Sequence, residues 1–298
     1  MKRLYFFLFT LLLFQAGYSQ SDPILKIGLV ADPQYADKSS TESRSYRQSL
    51  KKLSNAVDTF NSENVDFVQT LGDIIDEGWS NYDSILPIYN NLNISIENYH
   101  LLGNHEFSVD SSCHTKLLSK LSMPGYYYSY EKENWLFIVL DATDYSYFSK
   151  NLHEYSFNDV DDYFEKAEDQ PNHQRWNSAI GKKQQNWLKQ QLDLADAKKQ
   201  DVIIFCHMPV KPAKNSHNLW NDTEIVQLIE EYPNVFAYFN GHNHSGSYIN
   251  SNGIHYITLK GMVNTNDNSF AILEIYDKYA RLNGFGSQNS YKLSIEDE

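Results

Sequence analysis

The 298-residue sequence is poor in cysteine, and its few glycines and prolines form no repeat and no low-complexity tract. Two cysteines, Cys113 and Cys206, are too few for a fold framed by disulfides. We expect both to be free thiols, because Cys206 lies in a strand pattern and the sequence does not place Cys113 beside it. A hydrophobic content of 41% and an aromatic content of 14% are those of a folded domain rather than a disordered chain.

Positive charge is also scarce, since 25 Lys and Arg residues face 38 Asp and Glu residues, for a formal net charge of −13. This imbalance argues against nucleic acid or an anionic membrane as a partner. An anionic substrate would need a local positive site, and bound metal ions are the obvious source of one.

Long hydrophobic runs are absent except at the amino terminus. Lys2 and Arg3 precede an almost unbroken apolar run that ends at Phe14 and is followed by small residues. This pattern is typical of a cleaved export signal over residues 1–20, since the run is too short to span a membrane comfortably. We therefore predict a periplasmic or secreted protein without a stable membrane anchor. Cleavage of residues 1–20 removes Lys2 and Arg3, so the net charge of the mature chain is −15 instead of −13.

Strand and helix patterns alternate along the rest of the chain. Strands are predicted at residues 25–31, 65–71, 99–102, 126–130, 135–140, 202–205, 235–239, 254–259, 270–276 and 280–285. Helices are predicted at residues 43–60, 85–92, 159–168, 182–194 and 223–229. The last three strands look like an antiparallel set. We predict one domain over residues 21–298, with an α/β core and antiparallel additions.

Residues 142–181 interrupt this alternation. They are polar, acidic and aromatic, with one short helical pattern. A segment of this length inside a compact domain is more often functional than an idle connection. We predict an active-site lid insertion here.

Five of the predicted strands are followed by residues of metal-ligand type. In chain order these are Asp32 and Gln34, Asp73 and Asp76, Asn104 and His105, His207, and finally His242 and His244. Each motif alone is also typical of a turn, a helix cap or a buried histidine. Together they indicate a metal site, because loops at the carboxyl ends of strands converge on one crevice. Carboxylate, amide oxygen and imidazole donors suit Mn²⁺, Fe or Zn²⁺.

These residues give the chain its resemblance to the calcineurin-like metallophosphoesterases, whose blocks look like Asp-x-His, Gly-Asp-x-x-Asp, Gly-Asn-His-Glu, a lone His and Gly-His-x-His. The blocks here are Asp32-Pro-Gln34, Gly72-Asp-Ile-Ile-Asp76, Gly103-Asn-His-Glu106, His207 and Gly241-His-Asn-His244. Gln34 departs from the usual histidine. The manganese-dependent ADP-ribose/CDP-alcohol diphosphatases carry glutamine there, and the chain resembles them also in residues 44–50, 176–177, 185–188 and 261–270.

The resemblance implies a four-layer αββα sandwich, with two mixed β-sheets flanked by helices, and two divalent metal ions. One ion would be held by Asp32, Gln34, Asp73 and His244. The other would be held by Asp73, Asn104, His207 and His242, with Asp73 bridging the pair. Exchanging a histidine nitrogen for the amide oxygen of Gln34 should favour Mn²⁺, with Fe or Zn²⁺ as alternatives.

The implied reaction is cleavage of the phosphoanhydride of a small nucleoside diphosphate-X compound by a metal-bridging hydroxide. ADP-ribose would give AMP and ribose 5-phosphate, and CDP-alcohols such as CDP-choline or CDP-glycerol would give CMP and a phosphoalcohol. Asp73 would be catalytic as the bridging ligand, and His105 would stabilise developing charge or protonate the leaving oxygen. Asp76 and Glu106 would orient the ligands by hydrogen bonds.

Substrate contacts are predicted at Arg44, Arg47, Trp176 and Asn177. The arginines lie three apart on the first predicted helix and could reach a second phosphate, or could be solvated surface charges. Trp176 could stack on a nucleobase, although aromatic residues under a loop more often pack, and Asn177 could bind substrate by a hydrogen bond. A phosphomonoesterase, a cyclic-nucleotide phosphodiesterase or a non-catalytic metal-binding protein remain alternatives. The sequence leaves the oligomeric state open, and we expect a monomer.

Overall fold

A computed structural model of the protein describes residues 22–149, 157–264 and 266–295. Within these residues, twelve strands form two six-stranded sheets. The strands are β1 (Leu25–Val30), β2 (Phe67–Thr70), β3 (Glu97–His100), β4 (Tyr128–Lys132), β5 (Trp135–Val139), β6 (Asp201–Phe205), β7 (Val235–Asn240), β8 (Ser247–Ser251), β9 (Ile254–Thr258), β10 (Ser269–Ile275), β11 (Tyr279–Gly286) and β12 (Tyr291–Ser294).

Helices lie between consecutive strands of the chain, and most of them connect parallel strands. They are α1 (Gln48–Glu63), α2 (Tyr82–Tyr89), α3 (Leu117–Lys120), α4 (Phe157–Lys166), α5 (Lys182–Lys198) and α6 (Asp222–Glu230). Three short 3₁₀ turns span Trp79–Asn81, His105–Phe107 and Ser111–Lys116. Each predicted helix and strand overlaps one of these elements, so the predicted α/β alternation is confirmed.

Strand direction decides where the loops meet. The first sheet has the order β12-β11-β10-β1-β2-β3, and β1, β2 and β3 are parallel. The second sheet has the order β4-β5-β6-β7-β9-β8, and β5, β6, β7 and β9 are parallel. The carboxyl ends of neighbouring parallel strands therefore lie at one edge of each sheet, where ligands gather in such folds.

The two sheets face each other across an apolar layer that includes Leu29, Phe67, Phe137 and Phe205, all fully buried. Burial of such apolar side chains is the main source of the fold's stability. A second apolar cluster joins the first sheet to α1 and α2, and a third joins the second sheet to α5 and α6. The result is the predicted four-layer αββα sandwich.

Tyrosines join the edge strands of the two sheets at both ends of the sandwich. Tyr99 on β3 stacks on Tyr130 of β4, with ring centroids 3.9 Å apart. At the other end, the rings of Tyr248 on β8 and Tyr291 on β12 lie 4.7 Å apart. Each such aromatic pair adds about 0.5–1.5 kcal/mol beyond its buried area.

Two details of the predicted topology are wrong. The sequence pattern predicts that residues 254–259 join an antiparallel set, but β9 pairs in parallel with β7 and is antiparallel only to β8. The first helix begins at Gln48 instead of residue 43, because the preceding segment pairs with another loop: Arg44 forms a bridge with Asn264, and Ser45 N donates to Val263 O (2.8 Å). The patterns also did not indicate β8 and β12.

Both cysteines are free, as predicted, with Cys206 buried and Cys113 partly buried. The predicted export signal at residues 1–20 lies outside the described residues. Within the part of the chain that is described, none of the helices has the length and apolar character needed to cross a membrane.

Candidate active site

Residues from both sheets meet where the parallel strands end. Asp32, Asp73 and Asn104 follow β1, β2 and β3, while His207 and His242 follow β6 and β7. The loop after β7 is tied across to the first sheet, because His242 N donates to Asp32 Oδ1 (3.1 Å). The predicted donors therefore come from five separate segments and lie at one place between the sheets.

Asp73 and His207 form the centre of this cluster. Nε2 of His207 lies 3.3 Å from Oδ2 of Asp73 and 3.2 Å from Oδ1 of Asn104. One donor atom each from Asp73, His207 and His242 lie within 4.8 Å of one another, and all three residues are buried. These spacings suit convergence on one cation, since carboxylate and imidazole donors bind divalent ions at about 2.0–2.2 Å.

The other predicted donors, Gln34, His244 and Asp32, lie near one another beside Asp73. The amide nitrogen of Gln34 donates to Asp73 Oδ2 (2.9 Å) and contacts Nε2 of His244 (3.2 Å). Nε2 of His244 lies 3.6 Å from Oδ1 of Asp32. Among the described residues, the buried Oε1 of Gln34 has no hydrogen-bond partner. In this orientation the nitrogen, not the oxygen, faces Asp73 and His244, and turning the amide over would bring Oε1 to that side as a donor for a cation.

Four of these residues adopt a left-handed backbone conformation, with φ of 50° at Asp32, 41° at Gln34, 51° at Asp73 and 63° at His242. Such conformations cost roughly 1–3 kcal/mol each in residues other than glycine and concentrate at functional sites. The fold accepts this strain where it directs polar side chains toward one another.

Two motif glycines are required by close packing against the carboxylates. A Cβ atom at Gly103 would lie 2.2 Å from Oδ1 of Asp73 and 2.7 Å from the ring of His207. A Cβ atom at Gly241 would lie 2.6 Å from Oδ2 of Asp32. Any side chain at either position would displace a donor of the cluster.

Glu106 holds the loops after β2 and β3 together. Its buried carboxylate accepts hydrogen bonds from the backbone nitrogens of Asp73 (2.8 Å), Ile74 (2.7 Å) and Gly103 (2.7 Å). Burial and the nearby charge of Asp73 raise the pKa of Glu106 to about 7. This geometry places Glu106 behind the cluster, where its contacts with the backbone of Asp73, Ile74 and Gly103 can hold the two loops in place.

The buried carboxylates of Asp32 and Asp73 give the cluster a concentrated negative charge. Burial lowers the pKa of His207, but the carboxylates of Asp73 and Asp32 outweigh it and raise that pKa to about 9. Burial raises the pKa of Asp73, yet His207 and His105 hold it well below its usual range. The carboxylates thus draw positive charge to themselves, as a cation site must.

His105 lies beside this cluster and is oriented by two carboxylates. Its backbone nitrogen donates to Asp73 Oδ1 (2.8 Å), and its Nδ1 lies 3.0 Å from Oδ1 of Asp76. Burial lowers the pKa of His105, but Asp73 and Asp76 together raise it to about 9. Asp76 is shared with Lys38 and with Arg44, whose Nη1 lies 3.2 Å away.

The cluster opens into a cleft of about 290 Å³. Its lining consists of Gln34, Arg44, Asp73, Asn104, His105, Trp176, His217, His242 and His244. A larger cavity of about 690 Å³ lies between α4 and α6 and contains none of the predicted site residues. We therefore assign the chemistry to the smaller cleft, where the donors are.

Two predicted substrate contacts lie elsewhere. Arg47 is not in the cleft lining, and its Nε pairs with Oδ1 of Asp37 at 2.6 Å on the surface. The arginines do not share a helix, because α1 begins only after both of them. Asn177 is fully buried behind the cleft, where its side chain contacts His242 rather than open space. Trp176, by contrast, is 47% exposed and lines the cleft.

His217 is a cleft residue that the sequence did not reveal. Its ring lies edge-to-face against that of His242, with centroids 5.4 Å apart. It follows no strand and belongs to no recognised motif, so only its place in the folded loop between β6 and α6 identifies it.

Known proteins are similar to this chain in both sequence and architecture. The profile of the calcineurin-like phosphoesterases matches residues 25–246. A protein of Oryza sativa subsp. japonica, named manganese-dependent ADP-ribose/CDP-alcohol diphosphatase, is 30% identical over 93% of this chain and 96% of its own. An Arabidopsis thaliana protein of the same name is 30% identical over 90% of this chain and 96% of its own. The crystal structure of a dimetal phosphatase from Danio rerio, 28% identical, superposes with a TM-score of 0.81 and covers 92% of this chain and 100% of that one. The chain thus belongs to the calcineurin-like phosphoesterase family.

Proposed function

We propose that the protein is a hydrolase of nucleoside diphosphate-X compounds, dependent on two divalent ions, preferably Mn²⁺. It would convert ADP-ribose to AMP and ribose 5-phosphate, and CDP-alcohols to CMP and a phosphoalcohol. The observation that carries this proposal is the convergence of carboxylate, amide and imidazole donors around Asp73 in a chain whose relatives carry the diphosphatase name.

The residues present fit a pair of ions in their chemistry. Asp32, Gln34, Asp73 and His244 would hold one ion, and Asp73, Asn104, His207 and His242 the other. The buried carboxylates of Asp32 and Asp73, and the Gln34 amide group that contacts both Asp73 and His244, support this assignment. Two bound cations would neutralise phosphoryl oxygens and lower the pKa of water at the site.

His105 would act on the substrate itself. Its Nδ1 is held by Asp76, so Nε2 is the nitrogen left to act in the cleft. Without bound ions, the carboxylates of Asp73 and Asp76 raise its pKa to about 9, and the contact with Asp76 favours the protonated ring. From there it would stabilise charge on a phosphoryl oxygen or donate a proton to the leaving oxygen, an effect worth roughly 10²–10⁴-fold.

Arg44 and Trp176 would contact the substrate outside the metal site. Arg44 lines the cleft and keeps its guanidinium next to Asp76, where it could reach a second phosphate. The exposed indole of Trp176 offers a flat apolar face, to which a nucleobase is suited. Both residues favour a substrate that extends beyond one phosphate.

A substrate panel tests this proposal. Purified protein is assayed with Mn²⁺ against ADP-ribose, CDP-choline, a cyclic nucleotide and p-nitrophenyl phosphate. We expect the two diphosphates to give the highest kcat/KM. Preference for the last two compounds would overturn the substrate assignment and leave a phosphomonoesterase or cyclic-nucleotide phosphodiesterase.

Two variants test whether this site performs the reaction. Asp73→Asn and His207→Ala remove a shared ligand and a ligand of one ion, and we expect both to abolish turnover. Unchanged turnover in either variant would show that catalysis occurs elsewhere. To identify the preferred ion, the protein is first stripped of metal with a chelator, and its turnover is then compared with Mn²⁺, Zn²⁺ and Fe²⁺.

We also propose that the protein is exported, on the strength of the signal-like pattern in residues 1–20. N-terminal sequencing of protein from the native cells should find a chain that begins near residue 21. A mature chain that begins at Met1 would overturn this proposal.

A further inference from the structure

We infer that Asn177 is a positioning residue that decides which ring nitrogen His242 offers to the metal site. Oδ1 of Asn177 lies 2.9 Å from Nε2 of His242, and the residue is fully buried. This inference rests on the proposed metal site and assigns to Asn177 a task other than substrate binding.

The orientation of the Asn177 amide is fixed by its surroundings. Its Nδ2 donates to two backbone carbonyls, those of Asn172 (2.9 Å) and Ser216 (2.8 Å). Turning the amide over would place Oδ1 against both carbonyls and Nδ2 against His242. The atom that faces the ring is therefore an oxygen, which can only accept a hydrogen bond.

An acceptor at this place requires a proton on Nε2 of His242. A neutral imidazole carries one N–H, so Nδ1 is left as the nitrogen with a free lone pair. Metal-ligating histidines commonly donate their other N–H to an oxygen in this way, which fixes both tautomer and ring orientation. Asn177 thereby selects Nδ1 as the ligand atom of His242.

The other two histidines among the proposed metal ligands, His207 and His244, have the opposite arrangement. Nδ1 of His207 lies 2.8 Å from the carbonyl oxygen of Leu71, and Nδ1 of His244 lies 2.7 Å from Oδ1 of Asn264. In each of these rings Nδ1 carries the proton, and Nε2 is the nitrogen left to bind a metal ion. Two histidines that are only two positions apart are thus held in different tautomers by two asparagines.

The segment that carries Asn177 is attached to the core. Trp220 N donates to Ser178 O (2.7 Å), and Trp220 Nε1 donates to Gln174 O (3.0 Å). The side chain of Asn172 donates to Leu219 O (2.6 Å). Because several contacts hold this segment, the loss of any one of them should leave Asn177 in place beside His242. Because Trp176 is the adjacent residue, one turn contacts both the metal site and the open cleft.

Metal binding by variants of the full chain tests the inference. Asn177→Leu keeps the size of the side chain but removes the acceptor and the two backbone contacts of Nδ2, whereas Asn172→Ala loosens the same segment without touching His242. Mn²⁺ binding is followed by calorimetry, and by electron paramagnetic resonance, which distinguishes a coupled ion pair from a single ion. We expect Asn177→Leu to bind one of two ions about 10–100-fold more weakly. Asn172→Ala should retain both affinities.

The outcomes separate this inference from the proposed function. If the unaltered protein binds fewer than two ions, the dinuclear site itself is wrong. If it binds two ions and Asn177→Leu binds both with unchanged affinity, Asn177 has no such task. Equal weakening in Asn177→Leu and Asn172→Ala would also overturn the inference, since general loosening of the segment would explain it.

A measurement on the unaltered sequence remains decisive if Asn177→Leu does not fold. Protein labelled with ¹⁵N-histidine and loaded with diamagnetic Zn²⁺ is examined by long-range ¹H–¹⁵N correlation, which distinguishes the two tautomers. We expect a proton on Nε2 of His242 and on Nδ1 of His207 and His244. A proton on Nδ1 of His242 would refute the assignment.

Discussion

Oδ1 of Asp76 lies 3.0 Å from Nδ1 of His105, and the carbonyl oxygen of Asp76 lies 3.1 Å from the same atom. One residue thus contacts His105 through both its side chain and its backbone. Because the two acceptors hold the imidazole from one side, the ring is oriented before any substrate enters. Preorganised groups of this kind avoid reorganisation during the reaction.

Replacing His105 tests its action on the substrate. We expect His105→Asn to lower kcat roughly 10²–10⁴-fold, because the variant has no proton of suitable acidity to give. Mn²⁺ affinity, measured by calorimetry, should stay within a few-fold, since His105 is not among the proposed ligands. A kcat within threefold of the unaltered enzyme would exclude an acid role for His105.

The two arginines provide a matched pair for substrate recognition. We expect Arg44→Ala to lower kcat/KM for ADP-ribose by roughly 10–100-fold more than for p-nitrophenyl phosphate, as loss of a charge-assisted hydrogen bond would. Comparing the two substrates removes any effect that acts through Asp76. Arg47→Ala, which changes an arginine outside the cleft lining, should leave both values unchanged. Equal losses on both substrates in Arg44→Ala would count against a contact with a second phosphate.

Glu106 should matter for stability even without metal. Glu106→Gln exchanges an oxygen that accepts backbone N–H groups for an amide that faces them. We expect the free energy of unfolding, measured by urea denaturation in EDTA, to fall by about 2–3 kcal/mol. Glu77→Gln, at an exposed ion pair with Lys38, should change it by less than about 1 kcal/mol. Equal effects of the two substitutions would refute the structural role of Glu106.

The buried side chain of His100 should make the stability of the folded protein depend on pH, independently of the metal site. Burial lowers its pKa from 6.5 to about 4, and its Nε2 accepts a hydrogen bond from Asn98 Nδ2 (2.9 Å). The unfolded chain therefore binds a proton at this residue between pH 6.5 and 4, while the folded chain does not. Stability should fall as pH decreases through that window, by about 3 kcal/mol from this group.

The measurement for His100 is urea denaturation at pH 7 and pH 4 in EDTA. We expect His100→Gln to show a smaller difference between the two pH values than the unaltered protein, by about the same 3 kcal/mol. An identical pH dependence would mean that His100 is not the group responsible.

Local sequence was sufficient for the donors that directly follow strands. Asp32, Asp73, Asn104, His207 and His242 each come after a short apolar run, so strand direction alone brings them to one edge. Sequence was insufficient where a side chain depends on a distant partner. The helical pattern before Gln48 did not reveal the pairing with residues 262–264, and Arg44 and Arg47 were therefore wrongly placed together on a helix.

The same limit applies to the segment of residues 142–181. Nothing near Asn177 in the chain indicates His242, because the contact joins residues 65 positions apart. His217 was missed for the same reason. The left-handed conformation of Gln34 and Asp73 also cannot be predicted from the residue types, since it follows from the loops that surround them.

The donors of the cleft are divided between the two sheets, with Asp32, Gln34, Asp73 and Asn104 on loops of one and His207, His242 and His244 on loops of the other. The site therefore exists only while the sheets are docked. A slight parting of the halves would separate carboxylates from imidazoles before either sheet lost a strand. Enzymatic turnover should thus disappear at a lower urea concentration than β-structure, and it can report on how tightly the two halves of the sandwich are joined.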